Sequence, residues 1–190
     1  MMVLLRPVLV LFVLLTVLTG LVYPLAVTGI GKLLFPDQVR GSLVLRDGKA
    51  VGSALIGQSF TDPKYFWGRL SATTPMPYSA VASTGSNLGP TNHALLDAMS
   101  ARIDALHAAD PGNTLPIPVD LVTSSASGLD PHISPAAAFY QVARVARERH
   151  MNPVRLRQLV QEQVEPPQWR LFGEARVNVL ILNLSLDRAQ

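Results

Sequence analysis

The sequence contains no cysteine. This absence excludes disulfide bonds and cysteine-ligated metal sites. It fits an exported domain, where stray thiols would oxidise, and it is equally compatible with the cytosol. The absence of cysteine therefore excludes thiol chemistry but does not decide between an exported and a cytosolic domain.

Charge is absent from one long stretch, the twenty-five residues from Pro7 to Gly31. At about 1.5 Å per residue this stretch exceeds the roughly 30 Å hydrocarbon core of a bilayer, so we predict a tilted or kinked transmembrane helix over residues 7–31. Pro24 is the expected kink and Tyr23 an expected interfacial ring. A buried helix of a soluble protein is disfavoured, since such helices rarely exceed about 20 residues without a polar face.

A cleaved signal peptide is the competing interpretation, because Arg6 precedes the apolar run and Ala26 and Thr28 are small enough for a cleavage site. The run is longer than the roughly 7–15 residues of a signal core, which favours an uncleaved anchor. We therefore divide the chain into a membrane anchor, residues 1–34, and a domain, residues 35–190. The domain is large enough for one hydrophobic core.

The charges that flank the apolar stretch favour neither orientation in the membrane. Long domains are translocated largely regardless of charge, and a short head is easily left in the cytoplasm. We expect the domain to lie outside the cytoplasm, with a cytoplasmic domain as the open alternative. The flanking charges are Arg6 on one side and Lys32, Arg40, Arg46 and Lys49 on the other.

The net charge of +3 is too mild to suggest nucleic acid and suits a membrane surface or an acidic partner better.

The first part of the domain predicts a β-hairpin followed by a long loop. Two short apolar runs, residues 42–45 and 50–56, flank Asp47-Gly48, which is a strong turn signal. Residues 71–90 are rich in Ser, Thr, Pro and Gly and show no sustained period. A loop of this length is usually functional or mobile.

The rest of the domain predicts helices over residues 92–109, from Ser134-Pro135 onward, and after Asn152-Pro153. Strands are expected at residues 119–123 and 177–186. The predicted class is α+β, with one N-terminal transmembrane helix, a small and mainly antiparallel sheet, and about three helices. The expected apolar faces of the three helices are, in order, Leu95, Met99, Ile103 and Leu106; Phe139, Val142, Ala143 and Ala146; and Leu156, Leu159 and Val160.

A phosphate-binding motif occurs only in part. Residues 52–59 have the spacing of a P-loop, but Gln58 replaces the lysine that reaches the phosphates. The glycines also lie within and beside a predicted strand, so we interpret Gly52 and Gly57 as bends.

A second cluster contains the ingredients of a serine hydrolase: hydroxyl groups, a base and a carboxylate. A G-x-S-x-G elbow and an S-x-x-K pair are both missing, so we interpret the cluster as a polar loop that braces a helix start. A membrane-anchored exported hydrolase is the remote alternative. A metal site formed by Asp130, His132 and His93 is disfavoured, because the sequence has no H-E-x-x-H motif. The cluster consists of Ser124, Ser125, Ser127, Asp130 and His132.

Five arginines lie within fourteen residues, against one carboxylate, Glu148. Such a cluster attracts anions. The interpretations are two solvated helix faces, an anionic lipid, a nucleotide phosphate or an acidic partner surface. The arginines are Arg144, Arg147, Arg149, Arg155 and Arg157.

Four segments carry a resemblance when they are taken together in order and at these spacings. They are GSALIGQSF at 52–60, SNLGP at 86–90, DLVTSSASGLDPHIS at 120–134 and RVNVLILNLSLD at 176–187. The chain resembles the KdpC family, the small subunit of the bacterial P-type potassium-transporting ATPase. The Arg6-Pro7 start, Tyr23-Pro24 and the length extend the resemblance nearly from end to end.

The resemblance implies a non-catalytic accessory subunit of a high-affinity, ATP-driven potassium uptake complex in the bacterial inner membrane. Its partners would be a channel-like subunit that translocates K+, a P-type ATPase subunit that is phosphorylated, and the lipid bilayer. The chain lacks a D-K-T-G-T phosphorylation motif, so we expect no ATP hydrolysis by this chain alone and no stably bound cofactor.

The resemblance implies two accessory roles, and they need opposite sides of the membrane. A domain outside would stabilise the assembly of the two large subunits, cover the channel entrance and help couple ATP use to K+ import; we place this role first. A cytoplasmic domain would instead be a catalytic chaperone that raises the ATP affinity of the P-type subunit in a ternary complex. Its nucleotide contacts would be Gln158, Arg144, Arg147 and Arg155.

Two further sets of residues are expected to matter. The anchor would dock against the other subunits, with its glycines permitting close approach of backbones. In the loop shared with the family, Asp130, Ser134 and Pro135 are assigned to starting and fixing the second helix. The anchor set is Gly20, Tyr23, Pro24, Gly29 and Gly31, and the loop set is Ser125, Ser127, Gly128, Asp130, His132 and Ser134.

Overall fold

The computed structural model describes residues 2–189, with side chains from Leu4 onward. The chain divides into two compact units, Met1–Leu43 and Val44–Gln190. The first unit is helical, and the second mixes short helices with small antiparallel strands. The predicted α+β class with one N-terminal apolar helix is confirmed.

The N-terminal unit is mostly helical, and its helix is continuous from Met2 to Leu34. It consists of α1 (Met2–Val17), a π turn (Leu18–Val22) and α2 (Tyr23–Leu34), followed by the single turn α3 (Pro36–Val39). Within it, Leu4–Leu34 is long and apolar enough to cross a membrane.

Pro24 explains the π turn. Proline has no N–H to donate, and its ring clashes with the carbonyl four residues earlier, here that of Gly20. The wider turn accommodates this, because the Tyr23 N–H donates to the carbonyl of Leu18, five residues back. The irregularity predicted at Pro24 is therefore a π turn, and the helix continues through it.

The predicted hairpin is confirmed. It is formed by β1 (Leu43–Arg46) and β2 (Lys49–Ser53). Its two turn residues both have positive φ, 52° at Asp47 and 75° at Gly48, as a type I′ turn requires.

The helices of the second unit begin where polar residues can cap them. The three predicted starts are confirmed, since Asn92, Ser134 and Asn152 each accept a hydrogen bond from the first turn of a helix. Within the described residues the second unit has five helices, more than the three expected. They are α4 (His93–Ala109), α5 (Pro135–Tyr140), α6 (Val142–Glu148), α7 (Pro153–Glu162) and α8 (Val179–Arg188).

A small antiparallel sheet connects these helices. The strand β5 (Arg176–Asn178) lies between β3 (His132–Ile133) and β4 (Val164–Glu165). Val177 pairs with Ile133 on one side and with Val164 on the other. Because Val177 and Ile133 are both buried, the sheet forms part of the core.

Two predicted strands are wrong, one entirely and one for most of its length. Residues 119–123 contain a 3-10 turn, Val119–Leu121, which buries Leu121. Residues 177–186 are extended only at the start, because Asn178 accepts the Ile181 N–H and begins α8. Periodicity does not separate a strand from a helix in so short an apolar run.

The predicted apolar faces are confirmed on α4 and α7 and only partly on α5 and α6. Leu106 on α4 and Leu156 on α7 are buried. Ala143, expected in the core, is exposed, and the neighbouring Arg144 is buried. The break at Gln141 between α5 and α6 shifts the phase of the helix, which a continuous 3.6-residue period cannot anticipate.

The core also contains an irregular segment, whose backbone is held by two amide side chains. Asn183 accepts from the Phe66 N–H at 2.9 Å and donates to the Phe66 carbonyl at 3.0 Å. Gln141 accepts from the Trp67 N–H at 2.8 Å and donates to the Trp67 carbonyl at 3.1 Å. We call this arrangement the amide clamp. It supplies the hydrogen bonds that a neighbouring strand would otherwise give.

Two arginines complete the clamp. Arg144 donates to the Gln141 side chain at 2.7 Å and to the carbonyls of Pro63 and Tyr65. Its guanidinium carbon lies 4.5 Å from the centre of the Trp67 ring, and that of Arg102 lies 5.0 Å from the same ring. Cation–π contacts of this kind stabilise a desolvated guanidinium.

We predict that Asn183→Ala lowers the free energy of unfolding by about 1–3 kcal/mol, because it leaves the buried N–H and carbonyl of Phe66 without partners. Thermal unfolding of the full chain in detergent, followed by near-UV circular dichroism, measures the change. Gln158→Ala is the control, since Gln158 is exposed and its change should stay within about 0.5 kcal/mol. Equal melting of both variants would contradict the clamp.

Candidate functional site

The candidate site is built on residues 124–134, here called the motif loop. The Ser125 N–H donates to the Leu70 carbonyl at 3.3 Å, and the Leu129 carbonyl accepts from the Gly57 N–H at 2.8 Å. These bonds hold the motif loop between the segment that follows the amide clamp and the segment that follows the hairpin. Its end becomes β3, which fixes His132 next to the central strand.

Residues 71–90 pack directly on the motif loop. The Thr84 N–H donates to the Ser127 carbonyl at 3.0 Å, and the Ser71 hydroxyl donates to the Gly128 carbonyl at 2.7 Å. Gly128 has φ of +67°, and a Cβ there would lie 2.7 Å from the Thr84 carbonyl oxygen. Contact between the two loops therefore requires glycine at this position.

Asp130 lies between two nitrogen donors. Its Oδ2 is 3.2 Å from Arg69 Nη1, and its Oδ1 is 3.2 Å from His132 Nδ1 and accepts the His132 N–H at 3.0 Å. Burial alone would raise the pKa of Asp130. The hydrogen bonds from His132 and the charges of His132 and Arg69 outweigh burial, so the pKa lies below its usual value of 3.8.

Ser134 joins the motif loop to α5. Its hydroxyl accepts from the Ala137 N–H at 3.0 Å and donates to Asp120 at 3.1 Å. Its own N–H donates to the other oxygen of Asp120 at 2.6 Å. Ser134 thus caps the helix and is itself held in place by a carboxylate.

The serines of the motif loop do not form a hydrolase triad with His132. The Ser127 hydroxyl accepts from the Leu129 N–H at 3.1 Å, as in a local turn. Among the hydrogen bonds found in residues 2–189, none joins the Ser125 or Ser127 hydroxyl to the ring of His132. A general base cannot activate a serine without that contact.

The hollow beside Asp130 contains charges of both signs. It has a volume of about 300 Å³ and is lined by Arg69, Asp120, Asp130, His132, Glu174 and Arg176 among others. Within the described part of the chain, no three His, Cys, Asp or Glu side chains gather as a metal-binding group. The arrangement braces the loop and the helix start.

The four residues predicted to contact a nucleotide do not lie together in the structure. Arg144 is 2% exposed and serves the amide clamp, and burial lowers its pKa to about 10, so it remains a cation at neutral pH. Arg147 donates to Asp110 at 2.8 Å and to the Ala109 carbonyl at 3.2 Å. These two guanidinium groups bind elements of their own domain.

Arg155 and Gln158 do share a surface. Both line a hollow of about 240 Å³ along α7, together with Met151, Leu159, Glu162 and Ala189. The Gln158 side chain donates to Glu162 at 3.0 Å. The hollow is smaller than the roughly 300–1,000 Å³ of typical ligand sites.

The anchor residues differ in their contacts within the chain. Apart from adjacent residues and the backbone of its own helix, a Cβ at Gly20 or Gly29 would meet no described atom within 4 Å, whereas one at Gly31 would lie 3.3 Å from Val39. Tyr23 is exposed at the end of the π turn, next to Pro24. A larger side chain at Gly31 would therefore crowd Val39, whereas no contact among the described residues requires glycine at Gly20 or Gly29.

Sequence reasoning missed the polar residues that hold the site together and one exposed turn. Arg69, Gln141 and Asn183 were not singled out, because an isolated Arg, Gln or Asn has no pattern that marks it as a brace. The turn at residues 168–172 was also missed. The sequence did contain a signal for this turn, because three large apolar residues, a Trp, a Leu and a Phe, follow Pro166-Pro167 in a short connection.

Comparison with known proteins places almost the whole chain in one group. Residues 5–188 match the family model described as KdpC, the K+-transporting ATPase c chain. A Polaromonas naphthalenivorans protein named potassium-transporting ATPase KdpC subunit is 69% identical over 183 residues, covering 96% of this chain and 93% of its own length. Proteins of the same name from Dechloromonas aromatica and Sorangium cellulosum are 65% and 59% identical over 184 and 186 residues. They cover 97% and 98% of this chain and 96% and 98% of their own lengths.

We predict that Asp130→Asn destabilises the chain at neutral pH and much less in acid. A carboxylate whose pKa is depressed in the folded state contributes stability above its ordinary pKa and loses it as the pH falls from about 4 through the folded value. The loss at pH 7 should be about 1 kcal/mol, as for a partly exposed hydrogen-bonded charge. Urea unfolding of wild type and variant at pH 7 and pH 3 measures it, and an equal difference at both pH values would contradict this role.

Proposed function

The chain belongs to the KdpC family of K+-transporting ATPase subunits, and from this premise we propose that it holds the complex together. It is an accessory subunit and not the catalytic one. Its proposed partners are a channel-like subunit that translocates K+ and a P-type ATPase subunit. In the proposal it stabilises their assembly and helps couple ATP use to K+ import.

One observation carries the proposal: the charged groups in and beside the motif loop are engaged inside the domain, while the described apolar side chains of the anchor are almost all exposed within their own unit. Asp130, Ser134 and Asp120 all have intramolecular partners. The side chains of Leu4–Leu34 are almost all exposed. An apolar helix of this length needs lipid or other transmembrane helices around it.

The anchor is suited to a bilayer in its polar details as well. The hydroxyl groups of Thr16 and Thr19 donate to the carbonyls of Phe12 and Leu15 at 2.8 and 2.7 Å. Both hydroxyls are therefore satisfied without water. This supports a single-pass location in the bacterial inner membrane.

The glycines support a docking face on the anchor. Glycine inside a helix costs roughly 0.5–1 kcal/mol relative to alanine, and no contact among residues 2–189 requires it at Gly20 or Gly29. Close approach of a second helix would require it, as small residues do at transmembrane helix contacts. Gly20 also lies in the π turn, where the helix is already wider.

We place the domain outside the cytoplasm, at the entrance of the channel-like subunit. Long domains are translocated largely regardless of the flanking charges, and the absence of cysteine is compatible with an oxidising compartment. In that position the domain can contact the channel-like subunit and cannot contact ATP.

The catalytic-chaperone role is the second candidate, and the hollow at Arg155 and Gln158 is the observation that favours it. The hollow could hold part of a nucleotide whose remainder is bound by the P-type subunit. Arg144 and Arg147 would add nothing there without breaking their bonds within the domain. We therefore keep this role second.

We predict that Gly20→Leu reduces the yield of intact complex in detergent by several-fold, because the larger side chain separates the anchor from its neighbouring helix. Co-purification of the tagged chain with its partner subunits measures the yield. Leu21→Ile is the matched control, since it changes the shape of a neighbouring side chain and leaves the glycine in place. Unchanged yield with Gly20→Leu would place the docking face elsewhere on the anchor.

A further inference from the structure

A short turn between β4 and β5 exposes an unusual amount of apolar surface. Trp169 is 81% exposed, Leu171 is 76% exposed and Phe172 is 58% exposed. The Trp169 and Phe172 rings contact each other edge to face, with centroids 6.0 Å apart. Side chains of this size are seldom left together in water without a partner.

The backbone of the turn presents these side chains at a tip. The Gln168 and Phe172 backbones exchange two hydrogen bonds, of 2.9 and 3.0 Å. Between them, Trp169 and Arg170 have φ of 53° and 61°. A bulky residue such as Trp is rarely found at positive φ, and such conformations concentrate at functional positions.

Most backbone N–H groups of this turn already have hydrogen-bond acceptors within the turn, as an apolar environment requires. The N–H groups of Gln168, Arg170, Leu171 and Phe172 all donate to carbonyls within residues 167–172. Entering a region of low water content would therefore leave these donors satisfied, which is the main requirement for backbone at a bilayer.

A short connection joins the second unit to the N-terminal helix. It consists of residues 35–43, which include α3, and nine residues span at most about 30 Å even when fully extended. A domain of this size has a radius of gyration of about 15 Å. Because the second unit is linked to a helix held in the membrane, its effective concentration at the membrane surface is high.

From these observations we propose that the turn Gln168–Phe172 inserts its tip into the interfacial region of the membrane that holds the anchor. Trp169 would lie at headgroup depth, where its ring is buried and its indole N–H still finds an acceptor. Leu171 and Phe172 would enter the acyl boundary, and Arg170 would face lipid phosphate. The proposal rests on the membrane anchor described above and is independent of the role in assembly.

Tryptophan fluorescence gives a direct test, because the chain has two tryptophans and the other, Trp67, is 6% exposed in the core. The full chain is placed in phosphatidylcholine nanodiscs with or without bromine near the headgroup end of the acyl chains. Bromine should quench the wild-type emission by roughly half, since one of two tryptophans contacts lipid, and should leave Trp169→Phe unchanged.

Two variants make the test specific. Leu171→Ser retains Trp169 as the reporter and should reduce the quenching by half or more. Leu115→Trp in the Trp169→Phe background places a tryptophan at another exposed apolar position and should show no quenching. Co-elution of chain and nanodisc tests the anchor separately.

Several results would overturn the proposal. Equal quenching of wild type and Trp169→Phe would mean that Trp169 is not the residue in contact with lipid. Absence of quenching in a chain that co-elutes with the nanodisc would mean that the turn does not insert. A shift of Trp169 emission only after the partner subunits are added would assign the turn to a protein contact instead.

Discussion

The amide clamp is the constraint on which the rest of the domain depends. Phe66 and Trp67 are buried but have no strand beside them, so their backbone groups would cost free energy without partners. Asn183 and Gln141 each provide one donor and one acceptor, which is what a peptide group needs. The irregular segment is thereby tied to α8 and to the junction of α5 and α6.

The clamp also positions the residues that hold the motif loop. Arg69 follows Trp67 by two residues and reaches Asp130, while Leu70 pairs with the start of the motif loop. The loop in turn holds residues 71–90 and caps α5 through Ser134. Hydrogen bonds and the short backbone segment from Phe66 to Leu70 therefore connect the core to the surface, and they explain why so much irregular backbone is held in one arrangement.

This organisation suits a protein that acts by contact. Asp130 and Ser134, which sequence patterns mark as functional, hold the motif loop and a helix end in place. Apolar surface is exposed on the N-terminal helix and on the turn at Trp169. One would hold the chain among transmembrane helices, and the other would fix the orientation of the domain against the membrane.

Local signals in the sequence predicted much of this fold. The N-terminal apolar helix, the hairpin at Asp47-Gly48 and the helix starts at Asn92, Ser134 and Asn152 depend on neighbouring residues, and the structure contains all of them. The predictions over residues 119–123 and 177–186 were wrong because tertiary packing decides between strand and helix in short apolar runs. The amide clamp was beyond sequence reasoning, since its partners are 74 and 117 residues apart. The burial of Arg144 was equally beyond sequence reasoning, because it follows from the break at Gln141.

The side of the membrane on which the domain lies tests the account most directly. Since the chain has no cysteine, Ser100→Cys on the exposed face of α4 introduces a single thiol, and Ala137→Cys supplies a buried control. A membrane-impermeant maleimide applied to intact cells should label Ser100→Cys and should leave Ala137→Cys unlabelled until the protein is denatured. Labelling of Ser100→Cys only after cell lysis would contradict the account, because it would place the domain and the Arg155–Gln158 hollow on the side of ATP.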